Sequence, residues 1–261
     1  MRRPLLALLL ALASAGAQAG CARELSVGIS ELGFGAYLQD GQWRGLVPDL
    51  LAELARRSGC HLTLAPRPRA RVLLEFERGQ LDLITSAMQA EERDRVGQFV
   101  PYAYTTMDLI FIGDAPPRSL KALRLQPELK LGLVHGVRLG RLKDGVDGLL
   151  ATRQVEYSPN YDNLAAKLAA GRLQAAIIPS VIHPKLRRDG LLPPKAVTVD
   201  LPENSPEAIG LYLHRANIPE PDRRLLQRHL EAMRREGWVQ ASYVRYVGEA
   251  ETRRLFRREA R

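Results

Sequence analysis

The chain has 261 residues, and its 38 lysines and arginines against 29 aspartates and glutamates give a formal net charge of +9 at pH 7. Such a basic balance raises nucleic acid as a partner. However, the arginines near the chain end are scattered rather than interleaved with aromatic residues, which is typical of a solvated helix face, so we expect no nucleic-acid role. The five histidines have no paired spacing, which predicts no metal site. The sequence has no phosphate-binding loop, dinucleotide fingerprint or serine-hydrolase motif, and no cofactor is expected.

The first 19 residues predict a secretory signal peptide. A charged start is followed by an apolar run over residues 5–13 and by the small-residue pattern A-Q-A at 17–19. This run is too short to span a membrane. Cleavage after it would begin the mature chain at Gly20, and the protein would be exported.

Cys21 and Cys60 are predicted to form a disulfide, because two cysteines in an exported chain are candidates for one bridge. Each precedes one of the first two predicted strands, and if those strands are parallel neighbours, their beginnings are adjacent and the bridge is feasible. Two alternatives are open, namely free thiols, which an oxidising compartment disfavours, and a lipid-modified Cys21. A lipid-modified Cys21 is less well supported than the disulfide, because Gln18 stands where lipoprotein sites carry leucine or a similar residue.

Strands and helices alternate in the first half of the mature chain. Strands are predicted over residues 25–30, 61–64 and 81–85, and helices over residues 48–58 and 71–78. The first helix has an apolar leucine stripe and ends before Gly59. Strand–helix–strand order with short joints predicts parallel βαβ units in a sheet covered on both faces.

The second half follows the same plan. Strands are predicted over residues 130–134, 175–178 and 208–213, and helices over residues 162–170 and 219–237. Residues 76–82 and 168–174 both run from a helix through a glycine into a strand. This repeat predicts two similar α/β lobes rather than one long sheet. The alternative is that the two short segments resemble each other by coincidence.

The stretch over residues 81–93 is the most informative about function. An apolar strand runs out into small and hydroxyl-bearing residues, including Ser86, and Arg93 follows near the start of a helix. Backbone N–H groups, a hydroxyl and a guanidinium at one strand exit of a parallel sheet are suited to a small carboxylate. The alternatives are a loop-capping role for Ser86 and a surface ion pair between Arg93 and Glu92.

Further residues are candidates for the same crevice. Arg69 could make the pocket doubly basic, whereas Arg67 and Arg71 are expected to be solvated. Aromatic rings could cover a ligand. The candidates are Phe34, Tyr37, Tyr102 and Tyr104, and for each of them packing against a loop is at least as well supported.

Seven short segments carry a family resemblance through their order and spacing. They are residues 45–50, 79–83, 88–93, 99–102, 160–163, 168–172 and 236–238. With them the chain resembles the bacterial extracellular solute-binding proteins of family 3, the periplasmic receptors of polar amino acid ABC transporters, over essentially the whole mature chain.

The resemblance implies an α/β, two-lobed fold of the periplasmic-binding-protein-like type II kind, in which each lobe is a mostly parallel sheet flanked by helices. Residues 20–104 and 209–261 would form the first lobe, and residues 105–208 the second. Two crossing hinge segments are expected near residues 103–107 and 207–210. Lobe closure around a ligand would then report occupancy to a membrane partner.

The resemblance also implies roles for particular residues. Arg93 falls where such proteins grip the ligand's α-carboxylate, and Ala90 stands where they usually carry a threonine. The expected ligand-binding set, with Arg69 and Ser86, is completed by Ser30, Phe34, Met88, Tyr102, His135 and Gly136.

Two departures from the family pattern bear on the ligand. Pro179 stands at the position that usually carries an aspartate for the α-ammonium, and Gly136-Val137 replaces the usual Gly-Thr. Without that aspartate, an ammonium would be an uncompensated buried charge. An anionic solute without an amine is therefore as well supported as a zwitterionic amino acid, and the sequence leaves both open.

The predicted function is non-enzymatic capture of a small carboxylate-bearing solute in the periplasm for the permease of an ABC transporter, by a monomer. One alternative is an enzyme on the same scaffold, similar to cyclohexadienyl dehydratase. It would need an acid/base pair in the cleft, and no acidic residue is assigned there. A ligand sensor for a signalling partner is the other alternative.

Overall fold

The structure is a computed structural model that describes residues 20–257, so the predicted signal peptide lies outside the described residues. The strands in this part of the chain are β1 (Leu25–Ile29), β2 (Tyr37–Gln39), β3 (Gln42–Arg44), β4 (Leu62–Pro66), β5 (Leu83–Met88), β6 (Gly97–Thr105), β7 (Met107–Phe111), β8 (Leu131–Val134), β9 (Val155–Ser158), β10 (Ala175–Pro179), β11 (Val197–Val199) and β12 (Glu207–His214). The helices are α1 (Leu46–Ser58), α2 (Arg69–Glu77), α3 (Glu91–Asp94), α4 (Leu120–Arg124), α5 (Lys143–Ala151), α6 (Tyr161–Ala169), α7 (His183–Arg188), α8 (Glu220–Arg235) and α9 (Trp238–Phe256).

The strands form two five-stranded sheets and a small hairpin of β2 and β3. The first sheet has the order β4-β1-β5-β12-β6, and the second has the order β11-β7-β10-β8-β9. We call the first sheet with α1–α3, α8 and α9 lobe 1, and the second sheet with α4–α7 lobe 2. The predicted two-lobed α/β fold is therefore present, while its exact division at residues 104–105 and 208–209 stays a prediction.

The predicted βαβ units are present in both lobes. Strand β1 pairs parallel with β4 and β5, and β8 pairs parallel with β9 and β10. The antiparallel pairs involve the strands next to the crossings between lobes: β12 pairs with β5 and β6, and β7 pairs with β10 and β11. Each sheet is therefore mixed, with two parallel and two antiparallel pairs, rather than mostly parallel as expected. The reason is that the chain leaves lobe 1 along β6 and returns along β12 in the opposite direction.

Lobe 1 has an apolar layer on each face of its sheet. Successive strand side chains point to opposite faces, and accordingly Leu83 packs in the cluster that contains Leu50 and Leu54 of α1. The next residue, Ile84, packs with Phe76 of α2 in a separate cluster. The predicted leucine stripe of α1 is thus the buried face of that helix.

Two short connections join the lobes, Thr106 between β6 and β7 and residues 200–206 between β11 and β12. Beside them, Asp108 of β7 is only 1% exposed. Its carboxylate accepts hydrogen bonds from His183 Nε2 at 2.9 Å and from Arg254 Nη2 at 2.6 Å. Because Arg254 belongs to α9 of lobe 1, this pair ties the two lobes together at the connections.

The predicted disulfide between Cys21 and Cys60 is confirmed, with a Cα–Cα distance of 4.7 Å. Its geometric reason is also as expected, because β1 and β4 are parallel neighbours in which Leu25 lies opposite Leu62. Among the described helices, none combines the length and apolar character that a membrane span requires.

Two element boundaries near the predicted ligand site differ from the sequence-based expectation. The strand predicted to end at Thr85 continues to Met88, so Ser86 lies within β5 rather than after it. The reason is a long-range pairing, since Met88 lies opposite Ile209 of β12. Helix α2 begins at Arg69, two residues earlier than predicted, which places this arginine in its first turn.

Candidate ligand-binding site

A cavity of about 70 Å³ lies between the lobes, and each lobe supplies one wall. The lobe 1 wall contains the polar side chains Arg69, Ser86 and Arg93. The lobe 2 wall is largely apolar, with Met107, Val137, Pro179, Val181 and Ile182. An adjoining groove of about 480 Å³ shares Leu32, Arg69 and Tyr161 with the cavity and gives a ligand further room.

Arg93 is buried at the lobe 1 wall, with an exposed fraction of 3%. Its Nη2 donates a hydrogen bond to the carbonyl oxygen of Met88 at 3.1 Å, and its Nη1 lies 3.4 Å from Glu92 Oε1. Its buried Nε has no hydrogen-bond partner among the described residues. Arg93 is therefore not a solvated surface arginine, and it retains an N–H that can bind an anion.

Arg69 lines the same wall of the cavity as Arg93. Its two terminal nitrogens donate to the carbonyl oxygens of Thr85 at 3.1 Å and Ser86 at 3.0 Å, which holds the guanidinium at the end of β5. No carboxylate pairs with it within residues 20–257. Burial, and next the positive charge of Arg93, lower the pKa of Arg69 to about 10. The charge of Arg69 is therefore poorly compensated by the protein itself.

Ser86 is held in an uncommon backbone conformation by Tyr102. The φ of Ser86 is +49°, in the left-handed region that non-glycine residues rarely adopt. Its N–H donates to the Tyr102 hydroxyl at 3.1 Å, and the two hydroxyl oxygens lie 2.9 Å apart. Burial raises the pKa of Tyr102, so this phenol stays protonated. Tyr102 acts as a support behind Ser86, outside the cavity lining.

The structure brings five of the predicted ligand-binding residues into the cavity lining, namely Arg69, Ser86, Met88, Arg93 and Gly136. Gly136 lies where the lobes approach each other. Its φ is +77°, and a Cβ at this position would lie 2.9 Å from the Cα of Ala70. A glycine is therefore required here both by the backbone conformation and by the neighbouring lobe.

Three other predicted residues lie outside the cavity. Ser30 lines the adjoining groove. The ring of Phe34 is covered by the guanidinium of Arg188 from lobe 2, with 4.8 Å between its Cζ and the ring centroid. His135 is exposed and stacks on Tyr157, with ring centroids 4.8 Å apart. The rings of Phe34 and His135 thus contact other side chains of this protein rather than the cavity.

Tyr161 also lines the cavity, although it was not among the residues predicted from the sequence. It is 7% exposed, and its hydroxyl has no hydrogen-bond partner among the described residues. Burial raises the pKa of Tyr161, so the hydroxyl stays protonated and can donate to a ligand. The sequence feature that could have indicated Tyr161 is the segment 160–163, which is part of the family resemblance. In the structure Asn160 caps α6 by accepting a hydrogen bond from Asn163 N at 2.8 Å.

The lobes are also joined across the cavity mouth by charge. Arg138 of lobe 2 donates to Glu92 of lobe 1 at 2.5 Å. Burial would raise the pKa of Glu92, but its own backbone N–H and the charges of Arg138 and Arg93 outweigh burial and lower the pKa. Glu92 therefore remains ionised. Glu92 and Glu77, which lies 3.7 Å from Arg93, supply two negative charges beside Arg138 and Arg93, and neither carboxylate reaches Arg69.

Two hinged α/β lobes around a basic cleft define a class of bilobal binding proteins. The sequence profile of the bacterial extracellular solute-binding proteins, family 3, matches residues 25–249. The chain belongs to this family, whose members are extracellular or periplasmic. No match to the sequence of a curated protein was found.

The solved structures of similar fold include three amino-acid-binding proteins and a histidine kinase sensor domain. An ancestral arginine-binding protein bound to glutamine is 19% identical, with a TM-score of 0.72 over 87% of this chain and 98% of that one. The arginine-, lysine-, histidine-binding protein ArtJ from Geobacillus stearothermophilus is 16% identical, with a TM-score of 0.71 over 87% and 96%. The ancestral amino acid-binding protein AncCDT-1, a precursor of cyclohexadienyl dehydratase, is 18% identical, with a TM-score of 0.69 over 86% and 95%. These likenesses establish the fold.

Proposed function

We propose that this protein captures a small carboxylate-bearing solute between its lobes in the periplasm and delivers it to the permease of an ABC transporter. The observation that carries this proposal is Arg69, a partly buried cation at the cavity with no carboxylate partner among the described residues. A charge in such a position is costly unless it is paired. A ligand carboxylate would supply the pairing.

Arg93 would bind the same carboxylate. Its unpartnered Nε lies in a buried position, where a charge-assisted hydrogen bond is stronger than in water. The Ser86 hydroxyl would add a further hydrogen bond, because Tyr102 fixes its position. Met88 and Gly136 would contact the remainder of the solute as lining residues. Two guanidinium groups on one wall thus form the carboxylate half of the site.

Contacts between the lobes support closure as the reporting step. The N–H of Phe34 donates to the carbonyl oxygen of Val181 at 2.8 Å, and Arg138 pairs with Glu92 across the cavity mouth. These contacts can form only when the lobes are together. A ligand held by both walls would favour this closed arrangement, and a permease could distinguish it from the open one. The predicted signal peptide and the family's extracellular location support the periplasm as the compartment.

The first experiment identifies the solute. Mass spectrometry of the protein after denaturation would detect ligand carried through purification, and thermal-shift screening would then compare amino acids, dicarboxylates and related anions. A ligand that binds only the folded state raises the thermal midpoint by an amount set by its concentration relative to Kd. We expect at least one small carboxylate to give a saturable shift.

The matched variants are Arg93→Ala and Arg95→Ala, because Arg95 is an exposed arginine two residues away that pairs with Glu91 in the same segment. We expect Arg93→Ala to weaken binding by a factor on the order of 100 and Arg95→Ala to leave it unchanged. Equal binding by both variants would overturn the proposal. Incubation of the bound solute with the protein, followed by chromatography, tests the dehydratase-like alternative. Conversion of the solute into a product would favour an enzyme over a transport protein.

A further inference from the structure

The charges around the cavity restrict the ligand beyond its carboxylate. Three arginines line the cavity, Arg69, Arg93 and Arg138, and its lining contains no aspartate or glutamate within the part of the chain that the structure describes. Glu92 pairs with Arg138 and lies 3.4 Å from Arg93, and Glu77 lies 3.7 Å from Arg93. Neither carboxylate reaches Arg69. The protein therefore leaves about one positive charge for a ligand to balance.

The opposite wall offers nothing that compensates a second cation. The lobe 2 residues that line the cavity from the β10–α7 segment are Pro179, Val181 and Ile182. The rest of this wall contains the apolar Met107 and Val137, together with Gly136, Arg138 and Tyr161, and none of these carries a negative charge. The Tyr161 hydroxyl, on the lobe 2 wall, is buried and has no hydrogen-bond partner among the described residues. A hydroxyl can accept a hydrogen bond, but it carries no charge to pair with an ammonium.

We propose that the solute is an organic monocarboxylate without an α-ammonium group, with an apolar body against lobe 2 and an uncharged acceptor, such as a 2-oxo oxygen, within reach of Tyr161. This inference rests on the proposed function. A zwitterionic amino acid would add a positive charge to a cavity that already holds uncompensated Arg69, and the added ammonium would be buried without a counter-ion. A 2-oxo acid keeps the carboxylate and replaces the ammonium by an oxygen that can accept from the Tyr161 hydroxyl.

The body of the solute extends toward apolar surface. The cavity shares Leu32 with the adjoining groove, and the groove continues past Leu38 and Trp43. Glu31 also lines this groove, and its side chain is exposed to solvent. A cationic group far from the carboxylate could contact solvent and Glu31 there. The inference therefore excludes a positive charge at the α position of the solute, but not one elsewhere in the molecule.

The test compares series of compounds that differ only at the α position. The series are alanine, pyruvate and propanoate; leucine, 4-methyl-2-oxopentanoate and 4-methylpentanoate; and phenylalanine, phenylpyruvate and 3-phenylpropanoate. Binding is measured by isothermal titration calorimetry on the ligand-stripped mature chain. In any series that binds, we expect the 2-oxo acid to bind about 100-fold more tightly than the amino acid, and the plain acid to fall between them.

A variant pair tests the charge argument from the other side. Pro179→Asp supplies a carboxylate on the lobe 2 wall, and Pro179→Ala is its uncharged control. We expect Pro179→Asp to reduce the preference for the 2-oxo acid over the amino acid by about tenfold, whereas Pro179→Ala leaves the preference unchanged. Thermal unfolding of both variants checks that they fold, and the wild-type series carries the test if either does not.

The outcomes distinguish failure of this inference from failure of the proposed function. If the amino acid binds as tightly as its 2-oxo analogue, or more tightly, the inference is overturned while the proposed carboxylate site stands. If no member of any series binds and the ligand recovered by mass spectrometry has no carboxylate, the proposed function fails and the inference fails with it. If the recovered ligand is a carboxylate with an α-amino group, only the inference is overturned.

Discussion

The two walls of the cleft differ in chemistry although the two lobes have similar sheets. The lobe 1 wall contains Arg69 and Arg93, both hydrogen-bonded to carbonyl oxygens near the end of β5. The lobe 2 wall contains Val137 and Pro179, and its lining arginine, Arg138, is paired with Glu92. The difference indicates a division of roles, in which lobe 1 anchors the ligand's charge and lobe 2 selects what is attached to it.

The lobes also differ in how they are braced. Lobe 1 contains the disulfide between Cys21 and Cys60, and no free cysteine occurs in residues 20–257. Lobe 2 is stabilised by apolar packing among residues such as Leu109, Leu131 and Val146. A lobe that is cross-linked by a disulfide therefore faces a lobe that has no disulfide within the described residues.

The largest expected effect is loss of the disulfide. Bridged cysteines 39 residues apart restrict the unfolded chain, which stabilises the fold by about 4 kcal/mol. We expect the double variant Cys21→Ser/Cys60→Ser to lose about this amount of unfolding free energy in denaturant titrations. Hydrogen exchange should increase in β1 and β4 and remain unchanged in β8 and β10. Equal loss of protection in both sheets would contradict a brace confined to lobe 1.

The second prediction concerns Arg69. Replacement by methionine, Arg69→Met, should weaken binding of the identified carboxylate by about 3 kcal/mol, because the ligand loses a charge partner in a buried position. The unliganded variant should unfold at the same temperature as the wild type or at a higher one. The reason is that removing one of two neighbouring cations offsets the hydrogen bonds lost to Thr85 and Ser86.

The control for Arg69→Met is Arg71→Met, on the same helix. Arg71 is exposed and pairs with Glu75 at 2.5 Å, which is worth little at a surface. Calorimetric titration of both variants measures the affinity for the ligand, and thermal unfolding measures the stability of the unliganded protein. A clear drop in the thermal midpoint of unliganded Arg69→Met would mean that Arg69 is a structural support of β5 rather than a ligand anchor.

The third prediction concerns the charge that joins the lobes behind the cleft. Burial alone would raise the pKa of Asp108, but hydrogen bonds from His183 and Arg254 outweigh it and lower the pKa from 3.8 to about 2. A carboxyl whose pKa is lower in the folded state stabilises the fold above its unfolded pKa. This contribution, about 2 kcal/mol, is lost as the pH falls from about 4 to about 2.

The variant Asp108→Asn should remove that pH dependence. We expect wild-type unfolding free energy to decline more steeply than that of Asp108→Asn over this acidic range, and the variant to be less stable at pH 7. The exposed residue Asp189, which pairs with Lys185 on the surface of α7, offers the control Asp189→Asn. Parallel pH profiles for wild type and Asp108→Asn would show that the buried pair contributes nothing to stability.

The smallest expected effect tests lobe closure. In Gly136→Ala, the new Cβ would lie 2.9 Å from Ala70 of the other lobe, whereas in Gly171→Ala it would meet nothing within 4 Å. Both glycines have a positive φ, +77° and +71°, so both variants should lose about 1 kcal/mol of stability. Only Gly136→Ala should also bind ligand about fivefold more weakly. Equal affinities in the two variants would mean that closure does not bring Gly136 against Ala70.

Much of the fold was predictable from local patterns. The alternation of strands and helices, the apolar stripe of α1 and the repeated helix–glycine–strand unit predicted two α/β lobes, because burial imposes these periodicities on any such sequence. The disulfide followed from the same reasoning, since parallel neighbouring strands bring Cys21 and Cys60 together. The basic crevice was predicted from Arg93 and Arg69 beside one strand, and their roles stay predictions.

The remaining features depend on contacts between residues far apart in the chain, and no local pattern determines them. Pairing with β12 extends β5 through Ser86, and Tyr102 rather than a ligand occupies one side of that serine. The Asp108–Arg254 pair joins residues 146 positions apart. Thus the sequence by itself determined the two lobes, the disulfide and the basic character of the cleft. The tertiary structure decided which side chains line it and left Arg69 without a carboxylate, because compensation of charge depends on which distant groups the fold brings within a few ångströms.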